Sequence, residues 1–377
     1  MSVEIKKVTS RGELKQFIRF NYEFYKDNPY SVPELYDDVV NTFSEKKNPA
    51  FEFCEAECYL ALREGRVVGR VAAIINHRAN KIWNRKVIRF GWIDFIDDLE
   101  VSRALIDTVK ARGREKGMTE IEGPLGFTDM DPEGMLIEGF DQLSTMATIY
   151  NYPYYPEHME KLGFGKAADW VEMKIYIPDA IPEKHKRISD IIQRKYHLRI
   201  QKYTDKKKVI ESGEGRKIFE LINEAYAPLF GFSKMTDRQI DDYVNQYIPV
   251  IDLRMVTAVV DENNELIAVG ISMPSLSEAL QKAKGKLFPM GWYHLLKALK
   301  WKRPKVLDLL LVAVRPDYQS KGVNALLFTD LIPVYQQMGF EYAESNPELE
   351  MNEKVQSQWQ YFKTEQHKRR RCFTSKL

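Results

Sequence analysis

The chain has 377 residues, 44% apolar and 29% charged, and its 56 Lys and Arg against 54 Asp and Glu leave a formal charge of +2. That length suits two globular domains better than one, and near neutrality supplies no global field to hold nucleic acid, so no nucleic-acid partner is expected. No apolar run approaches the roughly 20 residues of a membrane span, and the first seven residues lack a signal peptide's apolar stretch, which reads as a cytoplasmic protein.

In chain order, residues 13–45 carry helical material, and residues 57–75 read as strand, tight turn and strand. Cys54 and Cys58 are four apart, with no second Cys or His pair at ligand spacing. They read as small apolar residues near a strand start, and no metal site is expected. A strand over 90–96 meets an acidic turn, Asp97, Asp98 and Glu100, then a helix over 99–116 that stops at Gly117 and a strand over 118–123. Carboxylates at that helix start stabilise the helix themselves and repel other anions. A Gly- and Asp-rich loop follows Gly123. Tyr150, Asn151 and Tyr154 lie in an aromatic stretch that either lines a groove for substrate or locks a turn.

Residues 178–195 read as a charged linker. The pattern then repeats: helical material over 215–248, with Ile218, Leu221, Ile222 and Ala225 at buried-stripe spacing, then a hairpin over 255–272. An insert at 275–305 carries eight Lys and Arg against one acid, Glu278, interleaved with Phe288, Met290, Trp292 and Trp301. It reads either as an amphipathic helix for peripheral membrane contact or as a packed helix with a solvated face. A strand over 307–314 runs into a turn, a helix over 323–338, Gly339 and a strand over 340–345.

The turn from Gln319 to Asn324 is the most informative segment. A strand-to-helix junction gathers backbone N–H groups where the helix dipole favours an anion. Gly322 lets an anion approach the backbone closely, and Lys321 adds a cation. Gln319, Gly322 and Asn324 resemble the pyrophosphate loop of the GNAT acyltransferases: Gln or Arg, two residues, Gly, one residue, then Gly or Ala. Asn324 is the departure. The repeated order of hairpin, strand, helix and strand resembles the GNAT core. The expected architecture is therefore an α/β fold with mixed sheets in two tandem GNAT-like domains. Residues 1–177 form a degenerate copy without the loop, 178–195 a linker, and 196–377 the copy that binds acyl-CoA.

The stretches 123–140, 150–155 and 344–352, with Lys368 to Arg371, resemble a tandem GNAT group that includes bacterial ceramide synthases. That group's chemistry attaches a fatty acyl chain to a sphingoid amine. The resemblance implies a CoA-dependent N-acyltransferase acting on a small-molecule or lipid amine. Val312, Val314, Gln319, Ser320, Lys321, Gly322, Val323 and Asn324 would hold acyl-CoA. Glu344 would be the base, with Glu350 next, and Tyr361 the acid for the leaving thiolate. Tyr150, Asn151, Tyr154, Asn346 and Asn352 would face the acceptor. A GNAT-fold ligand-binding protein without turnover and an aminoacyl-tRNA-dependent transferase are the competing readings.

Overall fold

The computed structural model describes residues 2–377. The chain divides into two compact units. One holds the residues up to Val171 together with Leu276–Lys297 and His367–Leu377; the other holds Glu172–Ser275 and Ala298–Gln366.

The first 176 residues form β1 (Glu4–Lys7), α1 (Arg11–Phe24), α2 (Tyr36–Thr42), β2 (Cys54–Arg63), β3 (Arg66–Asn76), α3 (His77–Ile82), β4 (Val87–Phe95), α4 (Leu99–Glu115), β5 (Glu120–Gly123), β6 (Met135–Glu138), α5 (Tyr154–Lys161) and β7 (Gly165–Tyr176). The helical material expected over 13–45 breaks into α1 and α2. Pro29 and Pro33 remove donors and disfavour helix before them, and the Asn28 side chain accepts from the N–H groups of Tyr30 and Ser31. Strands β1 to β4 pair antiparallel and β4 pairs parallel with β5. One face of this sheet is covered by α4 through Val101, Leu105, Ile106 and Val109. The other is covered by α1 through Phe17 and Ile18. Each such side chain contributes about 1.5–3 kcal/mol over leaving it exposed.

Onward from residue 183 come α6 (Glu183–Tyr196), β8 (Arg199–Gln201), α7 (Lys206–Glu211), α8 (Glu214–Ala225), α9 (Asp237–Tyr247), β9 (Val256–Val260), β10 (Leu266–Pro274), α10 (Ser277–Ala283), α11 (Gly291–Leu296), β11 (Val306–Val314), α12 (Asn324–Gln337), β12 (Tyr342–Ser345), β13 (Glu348–Leu349), α13 (Glu353–Gln356) and β14 (Thr364–Lys376). Most of the stretch read as a linker is the amphipathic helix α6, which turns His185, Ser189 and Ile192 inward. In the second unit the strand order is β7-β12-β11-β10-β9-β8, and only β11 and β12 run parallel. In the first unit β14 completes the sheet by pairing antiparallel with β5 and β6.

The insert at 275–305 forms no continuous amphipathic helix. It breaks into α10, α11 and a π-helical turn at Lys297–Trp301. Its residues 276–297 pack within the first unit, where Gln281 Nε2 donates to the carbonyls of Pro29 and Ser31 at 2.9 Å each. Gly285 carries a φ of +68°, and a Cβ there would lie 2.4 Å from the Tyr22 ring, so no larger residue fits this approach. Among the described residues, no helix is long and apolar enough to cross a membrane.

Candidate functional site

In the second unit β11 leads into a short 3-10 turn, Pro316–Tyr318, and then into the segment before α12. Gln319 is extended, Ser320 has φ +61° and Gly322 has φ +83°. This alternation turns successive amides outward. Among the described residues, the N–H groups of Ser320, Gly322, Val323 and Asn324 donate to no protein acceptor. Concave runs of open amides at a helix N-terminus form an anion nest.

Side chains brace the loop. Gln319 Nε2 donates to the Val314 carbonyl at 3.2 Å, and Lys354 Nζ reaches Gln319 Oε1 at 3.3 Å. Asn324 Nδ2 donates to Gln358 Oε1 at 3.0 Å. Asn324 thus holds the loop to the segment after α13, a role the usual small residue could not fill. Lys321 lies over the rings of Tyr196 and Tyr318. Lys354 is a second cation beside the loop that sequence reading missed, because it lies 35 positions beyond Gln319.

Strands β11 and β12 pair only from Val306 with Tyr342 to Leu309 with Ser345. Beyond that point β11 continues to Val314 without β12, and a bulge opposite Ile271 and Ser272 accompanies the parting. The opened edge is polar. Asn346 Nδ2 donates to the Leu310 carbonyl at 2.7 Å, and the Tyr226 hydroxyl donates to the Val312 carbonyl at 3.1 Å.

Glu348, on β13 just past the parting strands, accepts from the Trp359 indole N–H at 2.9 Å. Burial pushes its carboxyl up to about 7, while hydrogen bonds from Trp359 and Ser345 pull the other way. A carboxyl near neutrality beside an open strand edge is suited to accept a proton. Sequence reading passed over Glu348 because its burial depends on Trp359, eleven positions later and outside any local pattern.

Below the first turn of α12 lies an apolar pocket that opens to solvent. Leu327, Phe328 and Leu331 of α12 form one wall, and Gly270, Leu309 and Ala343 of the sheet form another. Trp359 and Phe362 close a side.

The remaining predicted residues have definite places. Glu344 lies on β12, in register with Asp308 of β11 and Lys174 of β7. Glu350 follows β13, and Asn352 caps α13 by accepting from the Val355 N–H at 3.4 Å. Tyr361 is 39% exposed, and Lys184 donates to its hydroxyl. Tyr150, Asn151 and Tyr154 belong to the first unit. Tyr150 donates to the Phe140 carbonyl, Asn151 exchanges hydrogen bonds with the Leu136 backbone, and Tyr154 donates to the Phe95 carbonyl at 2.6 Å.

The matching turn of the first unit is filled by its own groups. Asp98 caps α4 by accepting from the Glu100 N–H at 2.9 Å, and Arg63 bridges Asp98 and Glu100 at 2.7 and 3.0 Å. Arg63 holds the Asp98 carboxyl below its ordinary range. At the end of β4 the Tyr155 hydroxyl accepts from the Phe95 N–H at 3.0 Å, so the backbone at the strand end is already engaged.

A tandem GNAT protein from the clavulanic acid biosynthesis pathway superposes on this chain with a TM-score of 0.55, covering 100% of this chain and 98% of its own at 12% identity. This is the tandem GNAT fold. By sequence the chain resembles the bacterial ceramide synthase of Caulobacter vibrioides, 28% identical over 327 residues, 85% of this chain and 82% of that one. It also resembles protein YghO of Escherichia coli, 27% identical over 330 residues, 86% and 81% of the two chains. No family model matches. Within the GNAT fold, the open nest lies on the second repeat and the filled turn on the first.

Proposed function

We propose that the protein is a CoA-dependent N-acyltransferase that moves a long acyl group from acyl-CoA to a primary amine, with a sphingoid-type lipid amine as acceptor. The observation that carries this reading is the sequence of features leading into α12: four open amides from Ser320 to Asn324, then an apolar pocket along the helix from Leu327. The amides suit the pyrophosphate of CoA, and the pocket suits the hydrocarbon chain. The likeness to the Caulobacter ceramide synthase supports the lipid amine. In this reading residues 1–177 are the degenerate copy, 178–195 the bridge and 196–377 the cofactor copy.

The amine nitrogen attacks the thioester carbon, and the carbonyl oxygen gains charge. A residue's N–H and C=O share one edge of an extended strand, so the N–H of Val312 is the donor we assign to that oxygen. Such a donor contributes about 3 kcal/mol to the transition state. Glu348 takes the proton from the attacking nitrogen, with Glu344 as the second candidate. The carbon–sulfur bond then breaks, and Tyr361 returns a proton to the thiolate.

Exposed Phe288, Met290 and Trp292, among the lysines of the insert, support peripheral contact of a cytoplasmic protein with an anionic bilayer. The test of the whole reading is product analysis. The pure protein is incubated with acetyl-, hexanoyl- and palmitoyl-CoA and a panel of amines, and products are weighed by mass spectrometry. An N-palmitoyl amide with release of free CoA is expected; no amide from any pair would refute the reading.

A further inference from the structure

The first unit, whose phosphate turn is filled, contains a polar cleft of its own. It opens to solvent and lies where β4 parts from β5. Arg70 of β3, Asp94 of β4 and Glu34 of the loop before α2 bring charge to it, and Val32, Trp92 and Met135 bring apolar wall. A bulge on β4, between the pairings of Arg70 with Asp94 and Ala72 with Gly91, shapes the opening, and Trp92 takes the unusual φ of +43°.

Asp94 is fully engaged. It accepts from Arg70 Nε at 2.7 Å, Asn21 at 3.0 Å and the Tyr25 hydroxyl at 3.1 Å. Two groups in the cleft are not. Arg70 uses Nε on Asp94 and Nη1 on the Phe17 carbonyl, and among the described residues its Nη2 has no acceptor. Among the described residues the Glu34 carboxylate accepts no hydrogen bond and forms no ion pair within 4 Å, although it lines the cleft. Leaving a half-buried carboxylate without a partner is costly, and burial pushes this carboxyl up to about 7. Arg70 opposes that rise, while Asp131, Asp38 and Asp94 reinforce it.

The loop that carries Glu34 is held in place. Tyr22 donates to the Glu34 carbonyl at 2.8 Å, the Tyr36 N–H donates to the Gly285 carbonyl at 2.8 Å, and Gln281 clamps Pro29 and Ser31. The open carboxylate is therefore built into the fold rather than carried on a free side chain.

We propose that this cleft is a second ligand site, which binds a primary ammonium group bearing an oxygen on the neighbouring carbon. The ammonium pairs with Glu34, and the oxygen accepts from Arg70 Nη2. Because Arg70 is already balanced by Asp94, the ionised cleft is net negative and selects a cation. The inference does not rest on the acyl-transfer reading, since every residue in it belongs to the first unit.

The experiment is saturation-transfer NMR on the full chain with 2-aminoethanol and with glycine as probes, and with ethylene glycol and propylamine as controls. Saturation of 2-aminoethanol or of glycine, stronger than of either control, is expected. The first outcome points to amino alcohols and the second to amino acids. Glu34→Gln should weaken that binding at least tenfold, and Val32→Phe should remove it by filling the cleft. Equal signals from ethylene glycol or propylamine, or undiminished binding by folded Glu34→Gln, would overturn the proposal. The probe-against-control comparison on the unaltered protein decides the matter even if both variants fail to fold.

Discussion

The indole N–H of Trp359 points at the carboxylate of Glu348 from 2.9 Å, and the Trp359 ring also closes one side of the apolar pocket. One side chain therefore touches both the proposed base and the proposed acyl chain.

Glu348→Gln should lower kcat by about 10²–10³-fold, in the range for loss of general base catalysis, with little change in KM for acyl-CoA. The rate should rise with pH through about 7 in the parent and lose that limb in the variant. Trp359→Phe removes a hydrogen bond to the ionised form, so the limb should move to higher pH. Steady-state kinetics between pH 5.5 and 9 would check both.

Stability gives a second reading of the same group. Its folded pKa lies above the unfolded value near 4.3, so the folded state holds the proton over that interval and stability falls as pH rises towards 7. Glu34 contributes in the same direction. The difference between the parent and Glu348→Gln isolates one group: the variant should gain relative stability between pH 5 and 7, by on the order of 1 kcal/mol for each pH unit crossed in that interval. Urea titrations across that range measure it.

Legibility in the sequence followed the range of the interactions. Gln319 to Asn324 is a local pattern, and the open amides lie where strand, turn and helix signals meet. The hairpins over 57–75 and 255–272 could be read for the same reason. Glu348 could not, because its environment comes from Trp359 and a two-residue strand with no periodicity to see. Nor could the packing of Gln281 against Pro29 and Ser31, some 250 positions away. Among the aromatics, Tyr155 serves the backbone at Phe95, a partner that local spacing does not reveal.

Ala343 lines the apolar pocket from β12. Ala343→Leu should shorten the longest acyl chain accepted, cutting kcat/KM for palmitoyl-CoA by about tenfold or more while sparing hexanoyl-CoA. Overpacking should cost about 1–3 kcal/mol of stability. A chain-length series of acyl-CoA substrates would show it.

In the first unit, Tyr155→Phe should cost about 1–3 kcal/mol, because the Phe95 N–H then loses its acceptor in a buried position. Palmitoyl-CoA affinity, assigned to the second unit, should stay unchanged. Chemical denaturation and calorimetry on the same variant separate the two effects.

The most direct measurement is isothermal titration of palmitoyl-CoA into the full chain and into Gly322→Asp. The substitution adds a Cβ at a φ of +83°, where it meets Ile188 at 2.9 Å, so the turn that presents the open amides must distort. One site per chain in the parent, with binding lost in a variant that still melts cooperatively, is the predicted result. Two sites per chain, or unchanged affinity in folded Gly322→Asp, would contradict the assignment of acyl-CoA to the second repeat.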